Sequence, residues 1–197
     1  MIKFISFLYI LSLVFIPTDY CLASTVQDQL EGSINELLEI LKDPALKGED
    51  ATQERREALR KVIYERFNFA IAARLSLGKN WAKHSEEEKK IFVGLFGKLL
   101  EQTYAEKIES YTDEKVEFLR ERIAGSKAQV NTKLFGNDTE ILIDYRLYKG
   151  EDGVWRIFDI VVEGVSLVNN YRSQFTQILQ RDDFGKLIEE LKIMTKE

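Results

Sequence analysis

Histidine and cysteine are almost missing from this chain, and with them most of the side chains that do chemistry at neutral pH. One histidine, His84, and one cysteine, Cys21, stand in 197 residues. His84 falls in a polar loop beside Lys83, which reads as an exposed position, and a Ser-His-Asp triad has no other candidate for its base. Zinc sites draw on several His or Cys ligands, and this inventory cannot supply them. No phosphate-binding loop is present, because Gly78-Lys79 lacks the flanking glycine pattern. Basic residues are outnumbered as well: 28 Lys and Arg stand against 33 Asp and Glu, a net charge of −5. That balance argues against nucleic-acid binding, where neutralising phosphates carries much of the affinity. It also makes unaided adhesion to an anionic lipid surface weak. The expectation is a protein with no catalytic residue, no metal and no cofactor.

Proline is scarce too, and each of the two marks a boundary. Pro17 ends the one long hydrophobic run, residues 4–16, which is interrupted only by Ser6 and Ser12 and preceded by Lys3. A run of thirteen residues matches the h-region of a signal peptide, about 7–15 long, and falls short of the roughly 20 that span a bilayer. Cys21-Leu22-Ala23 ends on a small residue, so cleavage is expected after Ala23. Thr18-Asp19-Tyr20 before Cys21 does not suit a lipoprotein signal, which asks for an aliphatic residue and then small ones. Cleavage after Ala23 removes the only cysteine. It leaves residues 24–197 as one domain, large enough to stand on its core without disulfides. The leader carries one charge of each sign, Lys3 and Asp19, so the balance is unchanged.

What is present is periodicity. Val26, Leu30, Ile34, Leu37, Leu38 and Leu41 recur at helical spacing, and Pro44 and Gly48 then break the pattern. A second helix starts near Thr52, with Leu59, Val62, Ile63 and Phe67 as its stripe; residues 69–75 read as a short extra turn closed by Leu77-Gly78. Ser85 and Glu88 form a capping box before a helix whose Ile91, Phe92, Leu95, Phe96, Leu99, Leu100 and Tyr104 make an unusually broad apolar face. From Lys115 the period becomes two. Val116 and Phe118 open one strand, and Ala128, Val130, Thr132 and Leu134 alternate in the next. Ile141, Ile143, Tyr145 and Leu147 define one face of a third strand, and Val154, Phe158, Ile160 and Val162 that of a fourth. Turns at Gly125, Gly136 and residues 150–153 are short enough to imply an antiparallel meander. After Gly164 two helical stripes follow, Leu167 to Leu179 and Phe184 to Leu191. The expected fold class is α+β: several helices packed on one face of a four-stranded antiparallel sheet.

Residues 155–175 are the most specific stretch: Trp155-Arg156-Ile157-Phe158-Asp159-Ile160-Val161-Val162-Glu163-Gly164-Val165-Ser166-Leu167, then Asn170-Tyr171-Arg172 and Gln174-Phe175. This closely resembles the signature of the MlaC family, also called the toluene-tolerance family of auxiliary periplasmic proteins. Phe67, Arg74, Leu77-Gly78, Trp81, Ser85, Phe92, Phe96, Leu99-Leu100, Tyr104, Val130, Thr132 and Asp144-Tyr145 agree with it in order. Asn68 departs from the family's common aspartate, which touches only an expected helix cap. The resemblance implies a helical and four-stranded fold enclosing an apolar cavity for phospholipid tails. It implies a periplasmic carrier that takes part in outer-membrane lipid asymmetry. Its partners would be an outer-membrane lipoprotein complex and an inner-membrane ABC transporter with an MCE-domain subunit. Within that expectation Phe96, Leu99, Leu100, Tyr104, Val130, Ile143, Tyr145, Phe158, Ile160 and Val162 are the candidate pocket-lining residues. The alternatives are a carrier of hopanoid or another envelope lipid, a transporter adaptor with a solid core, and a small-substrate isomerase using Asp144 or Asp159 with a tyrosine.

Overall fold

The computed structural model describes residues 25–111, 114–136 and 139–196, so the leader and its cleavage site lie outside the described residues. Six helices surround one sheet: α1 (Val26–Lys42), α2 (Thr52–Arg66), α3 (Phe69–Leu77) and α4 (Glu86–Glu109) precede it, and α5 (Leu167–Arg181) and α6 (Phe184–Met194) follow. The starts of the helices are written locally. Thr25 and Asp28 make a reciprocal capping box for α1, and Ser85 and Glu88 make the expected one for α4. Residues 69–77 are a full nine-residue helix rather than an extra turn. Asn68 caps it by accepting from the Ile71 N–H, so the departure from the family's aspartate leaves the cap intact.

The sheet contains five strands where four were expected: β1 (Lys115–Ala124), β2 (Lys127–Phe135), β3 (Glu140–Lys149), β4 (Trp155–Val162) and β5 (Val165–Ser166), antiparallel in sequence order. The two-residue β5 is too short to leave a periodic signal. It forms because Glu163 and Gly164 both sit at positive φ, 48° and 79°, as a two-residue type I′ hairpin loop requires. Glutamate is uncommon in that region. Here its carboxylate accepts the Leu142 N–H at 2.5 Å, while its own N–H donates to the Leu142 carbonyl, tying the hairpin to β3.

β4 corrects a second expectation. Tyr145 pairs with Ile160, but Leu147 pairs with Ile157, so a bulge places one extra residue, Phe158, in β4. Trp155 and Ile157 therefore share the face of Ile160 and Val162, and Val154 does not. This is the inner face, which also carries Ala128, Val130, Thr132, Ile143, Tyr145 and Leu147. Helix α1 covers one half of it. Val26 and Leu30 pack with Ala128, Val130, Leu147 and Trp155, the Gln27 N–H donates to Glu121, and Gln29 accepts from the Trp155 N–H. Packing on a single face does not hold at β4, however. Asp159 and Val161 point the other way and are buried, because Asp159 receives the first turn of α5.

The remaining helices build a separate core. Ala72, Ala73, Phe92, Leu95, Phe96, Val168, Tyr171, Phe175, Phe184 and Leu187 pack together from α3, α4, α5 and α6. Phe67 and Asn68 stitch this half onto the sheet: Phe67 bridges Ile157, and the Asn68 N–H donates to the Ile157 carbonyl at 2.6 Å. No described helix is long and apolar enough to cross a membrane.

Candidate functional site

The ten candidate residues fall into three environments. Phe96, Leu99 and Leu100 are buried in the helical core, so the broad face of α4 is spent largely on helix packing. Tyr104 lies at that core's edge, where burial raises its phenol and its hydroxyl meets that of Tyr171. Leu99 and Tyr104 also line a cleft of about 310 Å³ between α4, α5 and α6, with Tyr171, Phe175, Leu187 and Leu191. Thr103, Asn170, Gln174 and Glu190 add polar groups to it. The α5 and α6 residues of this cleft were not among the candidates, although the helical period of both segments singled them out as apolar.

Val130 is fully buried beneath α1, and Tyr145 packs half-buried beside it. Phe158 occupies the bulge, also half-buried. The third environment is the half of the inner face that α1 does not reach. Ile143 and Ile160 are half-buried there and belong to neither core. Thr132, Ile143, Val162 and Val165 form a row across β2 to β5 by register. Exposure climbs along it, from 1% at Thr132 to 43% at Val162 and 65% at Val165. The row is thus sealed at one end and open at the other. A wider groove of about 560 Å³ at the C-terminal end of α1, lined by Asn35, Leu38, Glu39, Lys42, Asp43 and Pro44, lies away from both. It is shallow, and its charged rim gives an apolar ligand no shelter.

The acidic candidates are occupied elsewhere. Asp144 accepts from Asn131 and Gln129 on the outer face. Asp159, 2% exposed, accepts from Arg146 at 2.9 Å, from the Ser166 hydroxyl at 2.7 Å and from the Val168 N–H at 3.0 Å. Together with the Ser166 cap this anchors α5 to the sheet. Both aspartates face away from Tyr145, so the Asp–Tyr pair an isomerase would need on one apolar wall is not assembled. Among the described residues no cluster of three or more His, Cys, Asp or Glu is placed to hold a metal. His84 is less exposed than its loop suggests. Its side chain is 14% exposed and stacks on Phe184 with centroids 3.7 Å apart.

An antiparallel sheet whose apolar face is only partly covered, beside a separately packed helical core, places the chain among α+β domains. Within that class the chain belongs to the MlaC family, whose sequence profile matches residues 31–193. It is 25% identical over 142 residues to the intermembrane phospholipid transport system binding protein MlaC of Haemophilus influenzae, a match covering 70% of this chain and 66%, just under two thirds, of that relative. The fold is similar to that of the phospholipid-binding protein from Ralstonia solanacearum, whose structure was solved in complex with a phospholipid. The TM-score is 0.77 at 24% identity, over 87% of this chain and 97% of that one.

Proposed function

We propose that this chain is a periplasmic phospholipid carrier, exported with cleavage after Ala23 and acting without catalysis or cofactor. The observation that carries the reading is the uncovered apolar half of the inner face in a chain of the MlaC family. A folded domain gains by covering Ile143, Ile160 and Val162, and here the described helices leave them accessible. Two acyl tails of about 15 methylenes each, at ~0.8 kcal/mol per methylene, need on the order of 24 kcal/mol of shelter from water. Apolar walls supply that shelter and no covalent step is involved. Ile143, Ile160 and Val162 offer the tails one such wall, and Leu99 and Tyr104 line a separate cleft between the helices. That cleft alone sits at the small end of the roughly 300–1,000 Å³ of ordinary ligand sites, so the open part of the sheet face is the larger share of the wall.

A protein of net charge −5 has little attraction for anionic membranes. Handover therefore goes through protein partners, an outer-membrane lipoprotein complex and an inner-membrane MCE-type ABC transporter. The test is mass spectrometry of organic extracts from protein purified from the envelope fraction. Diacyl phospholipid at about one per chain is expected, unaffected by chelator. A chain that comes out empty supports the adaptor instead, and bound hopanoid replaces the ligand. N-terminal sequencing of the same sample is expected to start at Ser24.

A further inference from the structure

The inner face carries one polar group that its surroundings do not account for. Tyr145 lies on the central strand β3, between Val130 on β2 and Ile160 on β4, with Ile143 and Leu147 on either side along the strand. No described residue hydrogen-bonds its hydroxyl. The oxygen is not among the buried atoms left without a partner, so it is reachable from outside the fold, and a phenylalanine would fill the same apolar surroundings without presenting a donor. Two further properties describe the place. Loss of hydration alone, with no charge or hydrogen bond contributing, pushes the phenol up to about 12. Yet the residue is only half-buried, so its side chain is not sealed by its neighbours. The hydroxyl therefore opens onto the accessible part of the inner face, where a ligand can reach it. Tyr145 also marks a border: it packs at the edge of the α1-covered core, while Ile143 and Ile160 beside it belong to no core.

Resting on the carrier reading above, we infer that the Tyr145 hydroxyl donates a hydrogen bond to an acyl ester carbonyl of the bound lipid and so selects ester-linked diacyl ligands. The chemistry narrows the partner. A phenol at ordinary pH is a donor, acyl chains offer no acceptor, and a phosphate would lose its hydration among Val130, Ile143 and Ile160 without a cation to offset it. The ester carbonyl is the remaining acceptor of a diacyl phospholipid, and it is uncharged. Ether-linked lipids of the same chain length and head group lack it, as do hopanoid hydrocarbon rings.

The experiment compares delipidated wild type and Tyr145→Phe in binding diester and diether phosphatidylglycerol of identical chains, by competition against a fluorescent phospholipid. Wild type is expected to prefer the diester by about 3- to 10-fold, the range of one net hydrogen bond. Tyr145→Phe should bind both alike, at the level of wild type with the diether. Thermal unfolding of the lipid-free variant should match wild type, since no protein hydrogen bond is removed. A wild type that binds both lipids equally overturns the inference even if the variant fails to fold. A diester preference that survives in Tyr145→Phe also overturns it. A wild type that binds neither lipid defeats the carrier reading itself, a separate outcome from losing the ester contact alone.

Discussion

The helical core and the inner face of the sheet are both apolar, yet only one is finished. In the helical half, Phe92, Phe96, Tyr171 and Phe175 touch in edge-to-face and stacked pairs with centroids 5.2–5.9 Å apart, and Phe92 and Phe96 are fully buried. Phe92 and Phe96 leave a ligand nothing to cover, and the cleft that Tyr171 and Phe175 line lies at the edge of this core. On the sheet, α1 seals Ala128, Val130, Leu147 and Trp155, and beyond Tyr145 the same face opens step by step from the sealed Thr132 through Ile143 to Val162 and Val165. The helical half thus supplies the stability that lets the sheet leave apolar surface uncovered. Stability and binding should accordingly respond to different residues.

The largest expected effect lies in the helical core. Phe92→Ala or Phe96→Ala removes a fully buried ring and should cost about 3–5 kcal/mol in urea unfolding of delipidated protein. A loss below ~1 kcal/mol would mean that this core is not the stabilising half. Next comes the joint between the regions. Asp159→Ala leaves the Val168 N–H, the Ser166 hydroxyl and Arg146 without their acceptor, and about 1.5–3 kcal/mol should be lost, with faster hydrogen exchange in the first turn of α5.

A paired substitution separates the covered from the open half of one face. Val130→Trp must overpack beneath α1 and should cost about 1–3 kcal/mol or more in the lipid-free protein. Ile160→Trp, across β3 from it, should change lipid-free stability by less than about 1 kcal/mol while sharply reducing co-purified lipid. Equal destabilisation by both would mean that the face is solid throughout.

The smallest effect is a pH dependence confined to the helical half. Burial against Phe184 lowers His84 below its usual 6.5, with Lys83 and Lys89 lowering it further and Glu88 opposing them. The folded protein therefore binds this proton less readily than the unfolded chain. The contribution of the neutral ring is complete above pH 6.5 and is lost as pH falls through the lower folded-state value. A slight fall in melting temperature from pH 7 toward pH 5 is expected, and His84→Phe should reduce it.

Much of this was legible in the sequence. The α1, α2, α4, α5 and α6 stripes, the capping box at Ser85 and Glu88 and the antiparallel meander all stand where periodicity and turn chemistry put them. How the candidate pocket residues divide between the two halves was not legible in the sequence. Phe96, Leu99 and Leu100 do line an apolar interior, but it is mainly that of the helix core, and Val130 and Val162 share a face while differing completely in cover.

By itself the sequence determined five of the α-helices and the four long strands, and the apolar side of most of them, because those depend on neighbours within a few positions along the chain. Only the tertiary structure decided that one extra residue at Phe158 turns Trp155 and Ile157 inward, that two residues after Gly164 add a fifth strand, and that α1 stops at Tyr145. Alternating apolar residues state that a face is stabilised by being covered. What covers it is settled by segments as far apart as Gln29 and Trp155, and the part they leave uncovered is the part open to a ligand.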